Sequence, residues 1–475
     1  MSAALGVLLP GVSGTTVPEW LRTRIRAGLA GVLLFAENTP DVATTRALTD
    51  ALRAERADLV IGVDEEGGDV TRLQADTGSS LPGAAALGAL DDPDLTRRAA
   101  QLLGGLLGQA GIDLDLAPVL DVASEPDNPV IGVRSFGADP ELVIRHGRAY
   151  AEGLAAAGVA SCGKHYPGHG DTRSDSHVGA AVVDVPADLL ARRDEAPFAA
   201  TGMDSVMTAH VVVPALGPEP ASVSAWSTER LRAAGFSGPI ITDALGMAAI
   251  SDRWPLGEAC VRALQAGADL VCLDAPQNRE PEAALIEAEQ AIEQALTEGR
   301  LSAAALATSA ARNRTLHRPA AAYSPMAVRA ITAELDELGL QIARQALWRR
   351  GDPVLCRDPG QAADPVVIDL RRRHNLAAGN TAGPLAEALR QVWPGVRLDG
   401  GPERVEPDAP LLVLTAGADP AEARALAALR ERHPDPVVLH TGVAAAAPAE
   451  VRLICSHGAA RPNARAAVEA LLGHR

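Results

Sequence analysis

Eight short apolar runs alternate with helix-patterned segments through the first two thirds of the chain, and this alternation narrows the fold more than any other feature. The runs are Leu5–Leu9, Gly31–Phe35, Leu59–Val63, Asp113–Ala117, Val159–Gly163, Ser205–Thr208, Pro239–Thr242 and Asp269–Leu273. Between them lie amphipathic stretches, among them Val42–Arg56, Asp94–Ala110, Pro140–Ala157 and Gly257–Ala266. Strands alternating with helices predict parallel βαβ units, and eight such units are the number that closes a (β/α)8 barrel. Polar residues gather just after these runs: Asp64–Glu66, Asp121, Lys164–His165, His210, Asp243 and Asp274. In a parallel barrel all strands point their C-terminal ends the same way, so the following loops share one face and can bring distant residues together.

After Arg300 a helical run leads to His317-Arg-Pro-Ala-Ala-Ala-Tyr-Ser-Pro325, whose prolines and small residues read as a linker. Beyond it, Val366–Leu370, Leu411–Thr415, Val437–His440 and Val451–Cys455 alternate with the Ala-rich helical stretches Pro384–Val392, Pro420–Arg430 and Ala464–Leu472. That pattern predicts a smaller C-terminal α/β domain with a parallel sheet covered on both faces. The expected division is a TIM-like barrel over 1–318, a linker over 319–328 and the second domain over 329–475.

Composition excludes several classes. Hydrophobic residues are 47% of the 475, nearly all aliphatic because aromatics reach only 3%, which is ample for packed cores and rules out disorder as the main state. The 43 Lys and Arg against 60 Asp and Glu leave a net charge of -17. A surface that acidic repels phosphate backbones and anionic lipid, so neither nucleic acid nor membrane is an expected partner. No apolar run approaches membrane-spanning length, and no Lys or Arg precedes the apolar stretch at the N-terminus. The five cysteines are scattered without a CxxC pair, which argues against a disulfide framework or structural zinc. A cytoplasmic, reducing setting without a cleaved signal is the expectation.

Three of the 11 histidines fall between His165 and His177, in Lys164-His-Tyr-Pro-Gly-His-Gly-Asp-Thr-Arg-Ser-Asp-Ser-His177. Gly163, Pro167, Gly168 and Gly170 exclude a helix, so this is a loop. Solvated charged loops are rich in Lys, Glu and Ser; one crowded with His points to a site. Two chemistries fit. His165, His169, Asp171, Asp175 and His177 are donors that suit a divalent metal. Alternatively Asp175 orients His177, whose other ring nitrogen exchanges a proton with substrate. The Lys and Arg in the same loop speak for an anionic or hydroxylated ligand over a cation.

Three further elements join this loop. Asp243 ends the apolar run Ile240-Ile-Thr, where by itself it reads best as a helix cap. Asp64, Glu65 and Glu66 follow another run, and adjacent like charges require at least one to be paired, with Arg72 the nearest candidate in sequence. Arg134 stands in the non-helical stretch Asn128-Pro-Val-Ile-Gly-Val-Arg134-Ser-Phe136.

Together these segments resemble the β-N-acetylglucosaminidases of glycoside hydrolase family 3, the NagZ-type enzymes. The Lys164–His177 loop carries most of the resemblance. Asp-x-Glu-Gly-Gly at Asp64–Gly68, Ala-Pro-Val-Leu-Asp at Ala117–Asp121, Ile-Gly-x-Arg-Ser-Phe at Ile131–Phe136, Met-Thr-Ala-His at Met207–His210 and Thr-Asp-Ala-Leu-x-Met at Thr242–Met247 support it, in order. The match covers residues 1 to about 315, and the remainder is similar, more weakly, to the second domain of some members. The resemblance implies a retaining exo-β-N-acetylglucosaminidase that needs no cofactor or metal and removes terminal GlcNAc from peptidoglycan- or chitin-derived oligosaccharides. Asp243 would be the nucleophile, and His177 with Asp175 the acid/base. Asp64, Arg134, Lys164, His165 and His210 would stand on the sugar side. Because an imidazole does not repel an incoming anion, the alternative is a phosphorylase with phosphate as acceptor. The chain departs from the common pattern at Glu65 and Asp69, where Gln and Arg are frequent, and at Ala244 and Gly246 beside the nucleophile.

Overall fold

The computed structural model describes residues 2–174, 179, 181–319, 321–356, 364–371, 383–398, 410–417 and 419–474. Its N-terminal part is built on eight parallel strands: β1 (Leu8–Leu9), β2 (Gly31–Leu34), β3 (Val60–Val63), β4 (Leu114–Asp115), β5 (Ala160–Tyr166), β6 (Ser205–Thr208), β7 (Ile240–Thr242) and β8 (Val271–Cys272). Each falls on one of the eight apolar runs. Strands β2 to β7 form one sheet in sequence order, and β1 pairs with β8. Parallel bridges Gly11–Leu33 and Ile241–Leu270 join the two sheets. Hydrogen bonds from Leu33 N–H to the Pro10 carbonyl at 2.9 Å and from Thr242 N–H to the Leu270 carbonyl at 3.0 Å complete the ring. The α/β barrel expected from the alternation is therefore present.

Helices wrap the ring: α1 (Glu19–Ala27), α2 (Val42–Glu55), α3 (Ala84–Leu90), α4 (Pro93–Ala110), α5 (Pro140–Ala156), α6 (Ala225–Ala233), α7 (Leu256–Gln265), α8 (Pro281–Thr297) and α9 (Ala303–Asn313). Their starts follow capping chemistry. Asp41, Asp92 and Asp139 accept backbone N–H groups of α2, α4 and α5, the last two with Pro in the first turn. One apolar cluster, with Val60, Cys162, Ile241 and Cys272 among its members, fills the barrel interior. Alternate residues such as Ile61, Val63, Val206 and Ile240 face the surrounding helices.

The segment expected to be a linker runs into helix α10 (Pro325–Ala346), capped by the Ser324 side chain and packed on α3 and α4. The C-terminal sheet follows: β9 (Trp348–Arg350), β10 (Val366–Asp369), β11 (Leu411–Thr415), β12 (Val437–His440) and β13 (Arg452–Cys455), in the order β9-β13-β12-β11-β10. Four strands are parallel as their sequence pattern implied, and β9 adds an antiparallel edge. Val367, Leu412, Leu439 and Ile454 pack with α11 (Gly383–Val392) and α13 (Arg461–Leu471) on one face. Val366, Val413, Val438 and Leu453 pack with α12 (Pro420–Arg432) on the other. Burial on both faces explains why these strands read as unbroken apolar runs. Among the described residues no helix is long and apolar enough to cross a membrane.

Candidate active site

The period of two along a strand places the site. Gly62, Cys162, Ile241 and Cys272 lie at inward positions, so Asp64, Lys164, Asp243 and Asp274, two residues on, project inward at the C-terminal mouth. All four line one cavity of about 670 Å³, together with Glu66, Arg72, Arg134 and His165. Phe35, Met207 and Met247 add apolar wall. Asp64, Arg134, Lys164, His165 and Asp243, separated by up to 179 positions in sequence, thus share one cavity.

Its floor on one side is a charge ladder. Lys164 Nζ lies 2.7 Å from both Asp64 Oδ1 and Glu66 Oε1, and its side chain is 2% exposed. Arg134 grips Glu66 with two parallel bonds, Nε to Oε2 at 2.9 Å and Nη2 to Oε1 at 2.8 Å. Burial alone would raise the Glu66 carboxyl, but the Arg134 and Lys164 cations overcome it and hold Glu66 far below the usual carboxylate range. Burial would likewise depress the Lys164 ammonium, and the carboxylates of Asp64 and Glu66 reverse that and push it up. Two of the three carboxylates of the Asp64–Glu66 triplet are therefore paired, Asp64 with Lys164 and Glu66 with both Lys164 and Arg134. Arg72 bears on Glu65 instead: the N–H groups of Arg72 and Leu73 donate to Glu65 Oε2 at 2.8 and 2.9 Å. Glu65 is fully buried, and burial raises its carboxyl.

A second network orients His165. Its Nδ1 lies 2.7 Å from Asp121 Oδ2, and Asp121 Oδ1 accepts the N–H of His165 at 3.1 Å and of His169 at 2.7 Å. Burial would raise Asp121, but His165 and His169, through the bonds they donate, outweigh it and lower the carboxyl. Arg134 Nη2 approaches His165 Nε2 at 3.4 Å. A guanidinium only donates, so the network assigns the proton to Nδ1 and leaves Nε2 an acceptor. Asp121 is thus a supporting residue beneath the site, a role its place in Ala117–Asp121 did not reveal.

His210 is placed differently from its companions. It is fully buried, with Nδ1 2.7 Å from Ser222 Oγ and Nε2 2.9 Å from the Ala244 carbonyl, so it holds the loop after β7 and does not line the cavity. Both ring nitrogens thus face protein groups, where the resemblance had implied the sugar side. On that loop, Asp243 Oδ1 accepts the Ala244 N–H at 2.8 Å. Asp175 and His177 lie outside the described residues. Of the other candidate metal donors, His169 Nδ1 meets Thr172 Oγ1 at 2.8 Å, and Asp171 meets Ser124 Oγ and Arg193 Nη2, both at 3.0 Å. Among the described residues no group of three or more His, Cys, Asp or Glu is arranged around a metal position. Asp274, missed as a site residue, was marked by the same strand-end parity that marks Asp243.

Comparison with known proteins gives three kinds of likeness. The Glycosyl hydrolase family 3 N terminal domain matches residues 15–316. Beta-hexosaminidase A of Pseudoalteromonas piscicida is 37% identical over 287 residues, 54% of this chain and 48% of that protein, so the chain spans about half of that relative. Beta-hexosaminidase LpqI of Mycobacterium tuberculosis is 41% identical over 272 residues, 55% of this chain and 68% of LpqI. Among solved structures, a glycoside hydrolase family 3 β-N-acetylglucosaminidase from Paenibacillus sp. str. FPU-7 superposes with a TM-score of 0.84 at 28% identity, covering 100% of this chain and 96% of that one. The likeness to it therefore includes the C-terminal sheet.

Proposed function

The chain belongs to glycosyl hydrolase family 3, and from that membership we propose that it is a retaining, exo-acting β-N-acetylglucosaminidase acting on peptidoglycan- or chitin-derived oligosaccharides in a cytoplasmic setting. One observation carries the reading: Asp243 shares a cavity with Asp64, Arg134, Lys164 and His165. The β-hexosaminidase names of its relatives supply the amino-sugar class.

In this reading the ladder of Asp64, Lys164, Glu66 and Arg134 binds the non-reducing sugar, whose hydroxyls both donate and accept. The Asp243 carboxylate attacks C1, forming a glycosyl ester as the bond to the leaving oxygen breaks. His177, oriented by Asp175, gives that oxygen its proton. Water then attacks C1 while the same imidazole takes its proton, Asp243 is released, and the configuration at C1 is retained.

Asp243→Ala should abolish release of the aryl group from an activated aryl N-acetyl-β-glucosaminide. His177→Ala should slow substrates with poor leaving groups about a hundredfold or more, while costing activated ones far less. Equal losses on both would remove His177 from the acid/base role, and an active Asp243→Ala would overturn the reading. Product analysis with inorganic phosphate separates the phosphorylase alternative, which would yield GlcNAc-1-phosphate.

A further inference from the structure

The loop that follows β3 begins with Asp64 and Glu66 and ends in contact with the C-terminal domain. At its middle, Asp69 Oδ1 accepts the N–H of Ala459 at 2.8 Å, in the turn that opens α13. Farther along, Arg461 Nη2, at the start of α13, donates to Ser80 Oγ at 2.6 Å and to Asp336 Oδ1 of α10 at 2.5 Å. Ser80 Oγ itself donates to Asp336 Oδ1 at 2.6 Å. Helix α10 has Gly339 at this crossing, where a Cβ would stand 1.8 Å from the Ser80 carbonyl oxygen. Between these anchors and the site the loop is stiff. The Glu65 carboxylate closes it by accepting the Arg72 and Leu73 N–H groups, and the Gln74 side chain clasps Ser80 through its backbone N–H and its hydroxyl, both at 2.8 Å.

We propose that the C-terminal domain is a positioning element for the sugar-binding loop, acting through Asp69. The carboxylate accepts the N–H of Ala459, in the turn that leads into α13. Five residues earlier, Asp64 meets Lys164, and three residues earlier, Glu66 meets Lys164 and Arg134. A shift at Asp69 therefore displaces both carboxylates of the ladder but leaves Asp243, on a separate loop. Asp69 is a positioning residue, and its effect should fall on substrate binding more than on bond cleavage. The inference rests on the proposed reading only in taking the ladder as the sugar subsite.

The test uses the full chain and an activated aryl N-acetyl-β-glucosaminide. Asp69→Ala should raise KM about tenfold with kcat within about twofold of wild type, as expected when binding groups are misplaced and the nucleophile is not. Asp69→Asn keeps an acceptor for the Ala459 N–H and should restore KM to within about threefold of wild type. Arg461→Ala, cutting the same loop from the other side, should raise KM as well, and it carries the test should Asp69→Ala fail to fold. Arg344→Ala breaks an ion pair between α10 and α13 (2.7 and 2.8 Å to Glu469) away from this loop and should leave KM unchanged. Amide hydrogen exchange over residues 64–73 reads the loop without any substrate: protection should fall in Asp69→Ala and Arg461→Ala and hold in Arg344→Ala. An inactive wild type would overturn the functional reading alone, since exchange still decides the latch. Unchanged KM and unchanged protection in both Asp69→Ala and Arg461→Ala would overturn the latch, as would an Asp69→Asn variant as impaired as Asp69→Ala.

Discussion

Glu66 holds two cations in place at once. Its two oxygens bind both arms of the Arg134 fork, and one of them also meets Lys164, with all three side chains 7% exposed or less. Removing one member of such a buried set leaves charge without compensation, at a cost of about 3–5 kcal/mol. Glu66→Gln should therefore lower the midpoint of thermal unfolding markedly. Because the folded state holds this carboxyl far below its ordinary value of 4.5, its contribution is fully present above that value and fades only as pH falls through the depressed one. The stability gap between wild type and Glu66→Gln should accordingly be flat from about pH 6 to 8. A gap that opened only above neutrality would contradict this pairing. Sequence pointed to a paired carboxylate in the triplet but not to its partners, because Arg134 and Lys164 stand 68 and 98 positions away and only barrel closure brings them near.

At the level of elements, the strands were legible because each is short and apolar and most are followed by polar residues, and the barrel's inward alternation then carries Asp243 and Lys164 to one cavity. The edge strand β9, Trp-Arg-Arg, was not legible: its charged residues cover an exposed sheet edge and show no apolar pattern. The role of His210 was hidden for a related reason, since a histidine at a strand end reads the same whether it faces substrate or a neighbouring loop. Packing between elements adds constraints that no period reveals. In α3, a Cβ on Gly88 would stand 1.7 Å from the Phe136 carbonyl oxygen, just beyond the turn Gly132–Arg134. A backbone carbonyl cannot rotate away as a side chain can, so Gly88→Ala forces α3 and that turn apart. Overpacking of this kind costs about 1–3 kcal/mol. Since the displaced turn carries Arg134, Gly88→Ala should lower the unfolding midpoint and raise KM together. A loss of stability with KM unchanged would show that α3 yields without moving Arg134.

Across the whole molecule, buried acids pull stability in opposite directions with pH. Burial raises Glu65, Asp69 and Asp115, and lifts Asp194 to about 6 and Glu422 to about 7. A carboxyl raised on folding keeps its proton more tightly in the native state, so its stabilising contribution is present at low pH and is lost as pH climbs from the unfolded to the folded value. Glu66 and Asp121 are lowered and act with the reverse sign, losing their contribution only in acid. The net charge of -17 adds self-repulsion that grows as these groups ionise. Stability should therefore be greatest at about pH 4 to 5 and decline from there toward neutrality. Glu422 isolates the effect in the C-terminal sheet, where it accepts the Ala416 and Gly417 N–H groups at 2.9 Å and is 5% exposed. Its rise from 4.5 to about 7 corresponds to about 3 kcal/mol at most, lost between those two values. Glu422→Gln keeps an acceptor oxygen for both amides but has no proton to lose. Calorimetric unfolding of this variant should show a shallower decline from pH 5 to 8 than wild type, with the two curves parallel above pH 8. Identical slopes for the two proteins across pH 5 to 7 would mean that Glu422 enters the folded state already ionised.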